Sequence, residues 1–335
     1  MLLQNLFYQF NSCEERDELF ASNLSVSTIS STSSVSSNAT SSKSKFLLML
    51  FNIFYDTIRY SELFKNYLKL LINILSNNGG ELSRYFLLPL TKNKDTLLSL
   101  LLDHFSKSIF VLASNPNFEF YIQFLKCLLQ HKPISSTLLK TKFTENLKNE
   151  LIKLIENKKT FQNPKQVKII QELMEVFVSL SFDSEQAKKL GNKEFIISLS
   201  EAIIKTKNEN VIYNIIFFYR NISFVNQIKN VFMSEGNLIA SIFAIFTGEH
   251  SIRIKYIISH LIWVLLYNNQ TLRTMLNRPE FKSELTSMNI HFQKELDMEK
   301  LNEEEEKKDE NTHKWLEDTC LNMRKIMNIR LLLPK

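Results

Sequence analysis

The sequence predicts an all-α fold built from stacked helices, and three observations predict it. Five Gly and six Pro in 335 residues are few, and strands need turns that draw on Gly, Pro, Asn and Asp. Leu, Ile, Lys and Glu are abundant, and apolar residues recur at spacings of three and four, the period of a helix with one buried face. Apolar segments also return at a nearly constant interval. Leu180-Ser181-Phe182 matches Ile222-Ser223-Phe224 and Leu190 matches Phe232, both 42 residues on; Ile222 to Leu266 and Phe232 to Leu276 are 44 apart. Units that cannot bury their apolar faces alone must stack on their neighbours.

The totals narrow the function classes. An apolar content of 44% is enough for a sizeable core, and the 26 Phe suit the interior of stacked helices. The net charge of +6 comes from 41 basic and 35 acidic residues. A general nucleic-acid binder shows a denser basic face, so nucleic acid is not the expected partner. Cys13, Cys127 and Cys320 make no CxxC pair and no disulfide framework, which fits a reducing, cytoplasmic setting. Residues 1–10 are apolar but lack a basic flank and run into Cys13-Glu14-Glu15, unlike a signal peptide. The apolar run from Phe46 to Tyr55 is about half of the roughly 20 residues a membrane helix needs. No membrane insertion is expected.

Taken in order, residues 1–22 read as a short N-terminal helix. Residues 23–45, rich in Ser, Thr and Asn, have too little large apolar surface to offset ordering entropy and read as a flexible linker. Helical periodicity begins at residue 46. Leu63 to Leu75 forms a helix that Ser76-Asn77-Asn78-Gly79-Gly80 is expected to stop, with a short helix from Leu82 to Leu90 after it. Amphipathic helices follow over Thr96–Leu112, Phe118–Gln130 and Thr144–Glu156. Asn163-Pro164 opens another, since Pro suits the first helical turn.

From there each unit reads as a short, a medium and a long helix. Glu194–Ile204 precedes Val211–Ile222, and Leu238–Phe246 precedes Ile252–Leu266. Three helices in about 42 residues is the armadillo class of right-handed α-solenoid, assigned to residues 46–290. The run Glu303-Glu304-Glu305-Glu306 lies within an expected acidic loop over residues 291–311, because blocks of like charge repel and stay solvated. Residues 312–335, with Thr312 as cap, form a terminal helix that closes the stack.

No constellation for chemistry emerges. GxxxxGK[ST], GxGxxG and GxSxG are missing, as is HExxH. Cys127 and His131 share a helical face at i, i+4, yet two ligands fall short of a zinc site. Glu172 and Glu175 read as an exposed pair rather than an acid–base couple. The chain is expected to be no enzyme, with no cofactor, metal or small-molecule substrate. In armadillo repeats an Asn near the end of the third helix lines the inner groove, where it bonds an extended peptide. Asn221 holds that position, with Ser179 and Leu265 as its equivalents in the flanking repeats. Asn221 either lines that groove or ties its own repeat through local backbone. Trp263, in a helix apolar on more than one face, is expected in the core between repeats; the competing reading points it into the groove, where it would anchor a partner.

The C-terminal half resembles the terminal region of the rotatin family, large armadillo-type proteins of centrosomes and ciliary basal bodies. The resemblance rests on Arg220-Asn221-Ile222-Ser223-Phe224, on Leu261-Ile262-Trp263-Val264-Leu265-Leu266-Tyr267-Asn268-Asn269-Gln270, and on Arg278-Pro279 followed by a helix with Cys320-Leu321-Asn322. It spans about residues 168–335, and the acidic run near Glu303 has no counterpart in it. It implies a protein-binding scaffold of the centriole or basal body with centriolar protein partners and no catalytic residues. Arg220, Asn221 and Asn268 in these motifs are the candidate partner-binding residues. The alternatives are an armadillo peptide-binding adaptor in transport or signalling, and an RNA-binding helical solenoid.

Overall fold

Fourteen helices and a short 3-10 turn make up the labelled elements of the computed structural model, and no strand occurs among the described residues. The described residues are 60–88, 96–109, 118–131, 142–267, 269–301 and 310–331, with scattered positions between 49 and 57 and between 134 and 138. The expected N-terminal helix, the Ser-rich linker and the Glu303 run lie outside them. The chain divides into two compact units, Met1–Thr144 and Glu145–Lys335.

In the first unit α1 (Ser61–Tyr85) packs on α3 (Phe118–Leu129), with α2 (Leu97–Ile109) between them in sequence. Its interior is aromatic: Phe64, Tyr67, Phe105 and Phe124 are almost wholly buried. Tyr67 donates its hydroxyl to the Leu50 carbonyl at 3.0 Å, and Phe105 meets Tyr121 at 4.8 Å between ring centres. One expectation fails here. Gly79 and Gly80 do not end α1, which runs on to Tyr85, so no separate helix starts at Leu82. Mid-helix glycines cost about 1 kcal/mol each. Burial of Phe64, Leu68, Leu71 and Leu75 on one face outweighs that, at about 1.5–3 kcal/mol per side chain.

The second unit carries the repeats. After α4 (Lys142–Glu156) come α5 (Pro164–Leu180), α6 (Ser184–Leu190), α7 (Lys193–Lys205), α8 (Glu209–Ile222), α9 (Asn226–Ser234), α10 (Gly236–Thr247), α11 (Ile252–Leu266), α12 (Gln270–Leu276), α13 (Pro279–Leu301) and α14 (Glu310–Leu331). The short–medium–long order recurs as α6–α7–α8 and α9–α10–α11. Asparagine supplies four of the starts. Asn163, Asn192, Asn208 and Asn269 each accept from a backbone N–H of the first turn at 2.9–3.1 Å, which satisfies donors that a helix leaves open. Pro164 stands directly after its cap, as its fixed φ favours.

Long helix packs on long helix: α5 on α8, α8 on α11, and α11 on α14. The medium helices fill in behind. Phe177 of α5 meets Phe195 of α7 at 5.1 Å, and Phe195 meets Phe218 of α8 at 5.6 Å. Tyr219, fully buried, donates its hydroxyl to the Ile196 carbonyl at 2.6 Å and lies edge-on to Phe232 of the next repeat. The C-terminus of α11 is held by two cations that favour its negative end: Lys229 Nζ donates to the Tyr267 carbonyl at 2.7 Å, and Arg273 Nε to that of Leu266 at 3.2 Å.

Two expectations about the C-terminus change. Residues 291–301 are helix, not loop, because Leu285, Met288, Phe292 and Leu296 form a buried stripe that carries α13 on to Leu301. Thr312 lies inside the first turn of α14, which starts at Glu310, and so is no cap. No single described helix is long and apolar enough to cross a membrane; α9 and α10 reach that length only jointly, across an 83° bend.

Gly191, between α6 and α7, lies directly against α9 of the next repeat. A Cβ there runs into the Ile228 side chain of α9, itself 3% exposed. Gly191→Ala therefore forces Ile228 out of its packed rotamer, and we expect a loss of about 1–3 kcal/mol, read as a lower midpoint in denaturant-induced unfolding.

Candidate functional site: an aromatic and cationic face

The long helices α5, α8 and α11 bury most of their circumference and leave one stripe each uncovered, whereas α14 also exposes Lys314, Glu317, Leu321 and Arg324 on another side. On α8 that stripe is Tyr213, Phe217 and Arg220, with Phe224 just past the helix end; on α11 it is Arg253, Tyr256, His260 and Trp263; on α14 it includes Trp315, Asp318 and Lys325. These residues are spaced three or four apart, so they share a helical face. Because the helices pack side by side, the stripes join into one surface. The stripe of α5 differs in charge, with the half-buried Glu172 and Glu175.

Two rows of contacts cross the helices. In the first, the Arg253 guanidinium lies 3.9 Å from the Tyr213 ring centre and 5.9 Å from that of Trp315, and Nη1 donates to Asn210 Oδ1 at 3.2 Å. In the second, Arg220 Nη2 meets His260 Nε2 at 3.5 Å, His260 stacks on Trp263 at 5.4 Å and 28°, and Lys325 Nζ sits 4.9 Å over the Trp263 ring. Arg220 also covers Phe224 at 4.9 Å. Cations over aromatic faces are held by the ring quadrupole, by about 0.5–1 kcal/mol each where partly exposed. Both tryptophans of the chain are on this surface.

Trp263 is thus corrected from core filler to half-buried face residue. Its neighbours Ile262, Val264, Leu265 and Leu266 are buried; the three-residue spacing from His260 sets its ring on the outward stripe. An apolar helix conceals this, since helix amphipathicity hides where three sides are covered. The sequence reading also missed Tyr213, Arg253, Tyr256, His260, Trp315 and Lys325, whose partners lie 40 or 62 positions away.

The three candidate partner-binding residues fare differently. Arg220 is on the face, half-buried, with Nη1 donating to Asn221 Oδ1 at 2.9 Å and Nε buried without a partner among the described residues. Asn221 is 4% exposed and points inward, its Nδ2 donating to Ser181 Oγ at 3.0 Å; it ties α8 to the end of α5 and offers nothing to a partner. Asn268 lies outside the described residues. The Cys127–His131 pair gathers no third ligand, and no metal-holding group of His, Cys, Asp or Glu occurs among the described residues.

The Asn221 tie recurs in a form the spacing disguised. Asn322 of α14 donates to Ser259 Oγ of α11 at 3.2 Å, and both serines pass their proton to a carbonyl one turn back at 2.7 Å. Between α8 and α11 the equivalent of Asn221 is Leu265, and Ser223, the equivalent of Ser181, is fully buried with its hydroxyl unpaired among the described residues. A lost partner costs a buried donor its full desolvation penalty. Ser181→Ala is expected to destabilise by about 1–3 kcal/mol by orphaning the Asn221 amide, whereas Ser223→Ala is expected to be neutral or stabilising; paired urea melts check the contrast.

Electrostatics follow the geometry. None of Arg220, Arg253 and Lys325 forms an ion pair with a described carboxylate. Burial pulls the Arg220 guanidinium below its usual pKa. Burial works against the Glu209 carboxylate at the start of α8, but hydrogen bonds from Ser251 together with the charges of His250 and Arg253 hold its pKa below normal. His260 is pushed down to about 4, by burial first and then by Arg220 and Lys325. Since the folded value lies below the unfolded one near 6.5, the unfolded chain takes the proton first. The His260 contribution to stability is complete above pH 6.5 and is lost as pH falls toward 4. NMR titration of the imidazole should give a midpoint near pH 4, moving up in Lys325→Gln.

No family model and no curated protein sequence matches the chain. Solved structures do. A designed armadillo repeat protein in complex with the peptide (KR)4 is 14% identical, with a TM-score of 0.55 over 83% of this chain and 99% of its own. A computationally designed armadillo repeat protein for modular peptide recognition is 12% identical, with a TM-score of 0.53 over 83% of this chain and 98% of its own. The fold is an all-α armadillo-type solenoid.

Proposed function

We propose that this chain is a non-catalytic armadillo-type scaffold that holds an extended segment of another protein on the face made by α8, α11 and α14. The carrying observation is the continuity of that face: cations and aromatics from three consecutive long helices interleave over Tyr213, Arg220, Arg253, Trp263, Trp315 and Lys325. Aromatic and Arg side chains are those that dominate protein interfaces. Peptide recognition by the structurally similar designed proteins supports the same use of the fold. Three cations are few for tracking a nucleic-acid backbone, whose binding draws on many phosphate contacts, and this favours protein over RNA.

We further propose, on the resemblance of residues 168–335 to the rotatin family, that the partners are centriolar or basal-body proteins. The competing reading is a peptide-binding adaptor in transport or signalling. Proximity labelling of the tagged full chain in ciliated cells separates the two. Enrichment of centriolar neighbours is expected; labelling confined to cytosolic or nuclear-pore proteins would overturn the basal-body assignment.

A further inference from the structure

The cations of this face form no direct ion pair with a described carboxylate. Arg220 is the clearest instance. It is half-buried, its Nη atoms meet only the neutral acceptors Asn221 and His260, and its Nε N–H is buried and unpaired among the described residues. A partly desolvated guanidinium without an acceptor is costly, and a carboxylate accepting from its fork relieves that cost with a charge-assisted bond. Arg253 and Lys325 are held over aromatic rings instead of against acids. The acids nearby are only partial counter-charges: Glu209 is near enough for the charge of Arg253 to lower its pKa, yet it also faces His250. Glu209 accepts from the Ser251 backbone N–H at 3.1 Å, and Asp318 forms no ion pair with a described cation. Meanwhile the ring of Trp263 and its neighbours supply an apolar floor between the charges.

Resting on the scaffold reading above, we propose that the occupant is an acidic extended segment of a partner protein, whose carboxylates reach Arg220, Arg253 and Lys325 while its apolar side chains lie against Trp263. Complementary charge also sets which partners are refused, because like charges facing across an interface are disfavoured.

Intrinsic fluorescence reports on this directly, since both tryptophans stand on the face. The full chain is titrated with the blocked peptides (Glu-Leu)4 and (Lys-Leu)4 and with a single-stranded oligouridylate. Binding of (Glu-Leu)4 should saturate below about 1 mM, weaken as salt rises, and weaken at least about ten-fold, or 1.4 kcal/mol, in Arg220→Gln/Lys325→Gln. Circular dichroism verifies that the double variant is folded, and Arg253→Gln serves as a second variant with the same expected direction. Preference for (Lys-Leu)4 overturns the acidic assignment while leaving the scaffold reading intact. Binding of neither peptide overturns both. Tighter binding of the oligouridylate with a steep salt dependence overturns both in favour of nucleic acid, and unchanged (Glu-Leu)4 affinity in the folded variants removes Arg220, Arg253 and Lys325 from the site.

Discussion

Everything in the second unit depends on the side-by-side packing of its long helices. α5, α8, α11 and α14 are each buried on the sides that meet the next long helix and the shorter helices behind, and the buried sides are filled mainly by Ile, Leu, Val, Phe and Met. Dispersion and burial of this kind are non-directional. They hold the helices together without fixing how far one slides along the next. Register comes from a few directional contacts: Asn221 on Ser181, Asn322 on Ser259, Tyr219 on the Ile196 carbonyl, and Glu209 on the Ser251 N–H. The first and last of these lie at opposite ends of α8, so rotation and translation of that helix are both constrained.

The same packing creates the face. A long helix flanked by two others and backed by medium helices has one stripe left over, and that stripe repeats from helix to helix. Aromatics there are shielded enough to hold cations by their ring faces, and burial, with Arg220 and Lys325 beside it, depresses the histidine between them. The surface is therefore a consequence of the stack and not an addition to it. Its charge changes along the solenoid, from the Glu172 and Glu175 of α5 to the Arg and Lys of α8, α11 and α14. A partner laid across these helices meets a graded surface, which gives direction as well as affinity.

The junction between α8 and α11 departs from the pattern in one respect. Leu265 stands where the other junctions place an amide, and Ser223 keeps a buried hydroxyl without a partner among the described residues. It is the junction that Arg220 and His260 bridge from the outside.

The sequence by itself determined the class of fold and most of the repeat. Periodicity of three and four fixes helix, scarcity of Gly and Pro removes sheet, and recurrence at 42 and 44 residues fixes stacking; these are local or one-dimensional signals. The helix start at Asn163 was legible for the same reason, because a cap acts within one turn. What failed were inferences from composition alone. Gly79-Gly80 and the charges after His291 looked like breaks, but burial of Leu75 and of Phe292 and Leu296 decides for helix. The face itself was decided only by tertiary structure. Whether Trp263 points in or out depends on which side of α11 its neighbours occupy, and the residues that complete the surface come from helices 40 and 62 positions apart. Asn221 looked like a ladder position open to a ligand, yet the serine ending α5 turns its amide inward. A sequence records which residues a helix carries; only the packing of its neighbours determines which of them remain exposed.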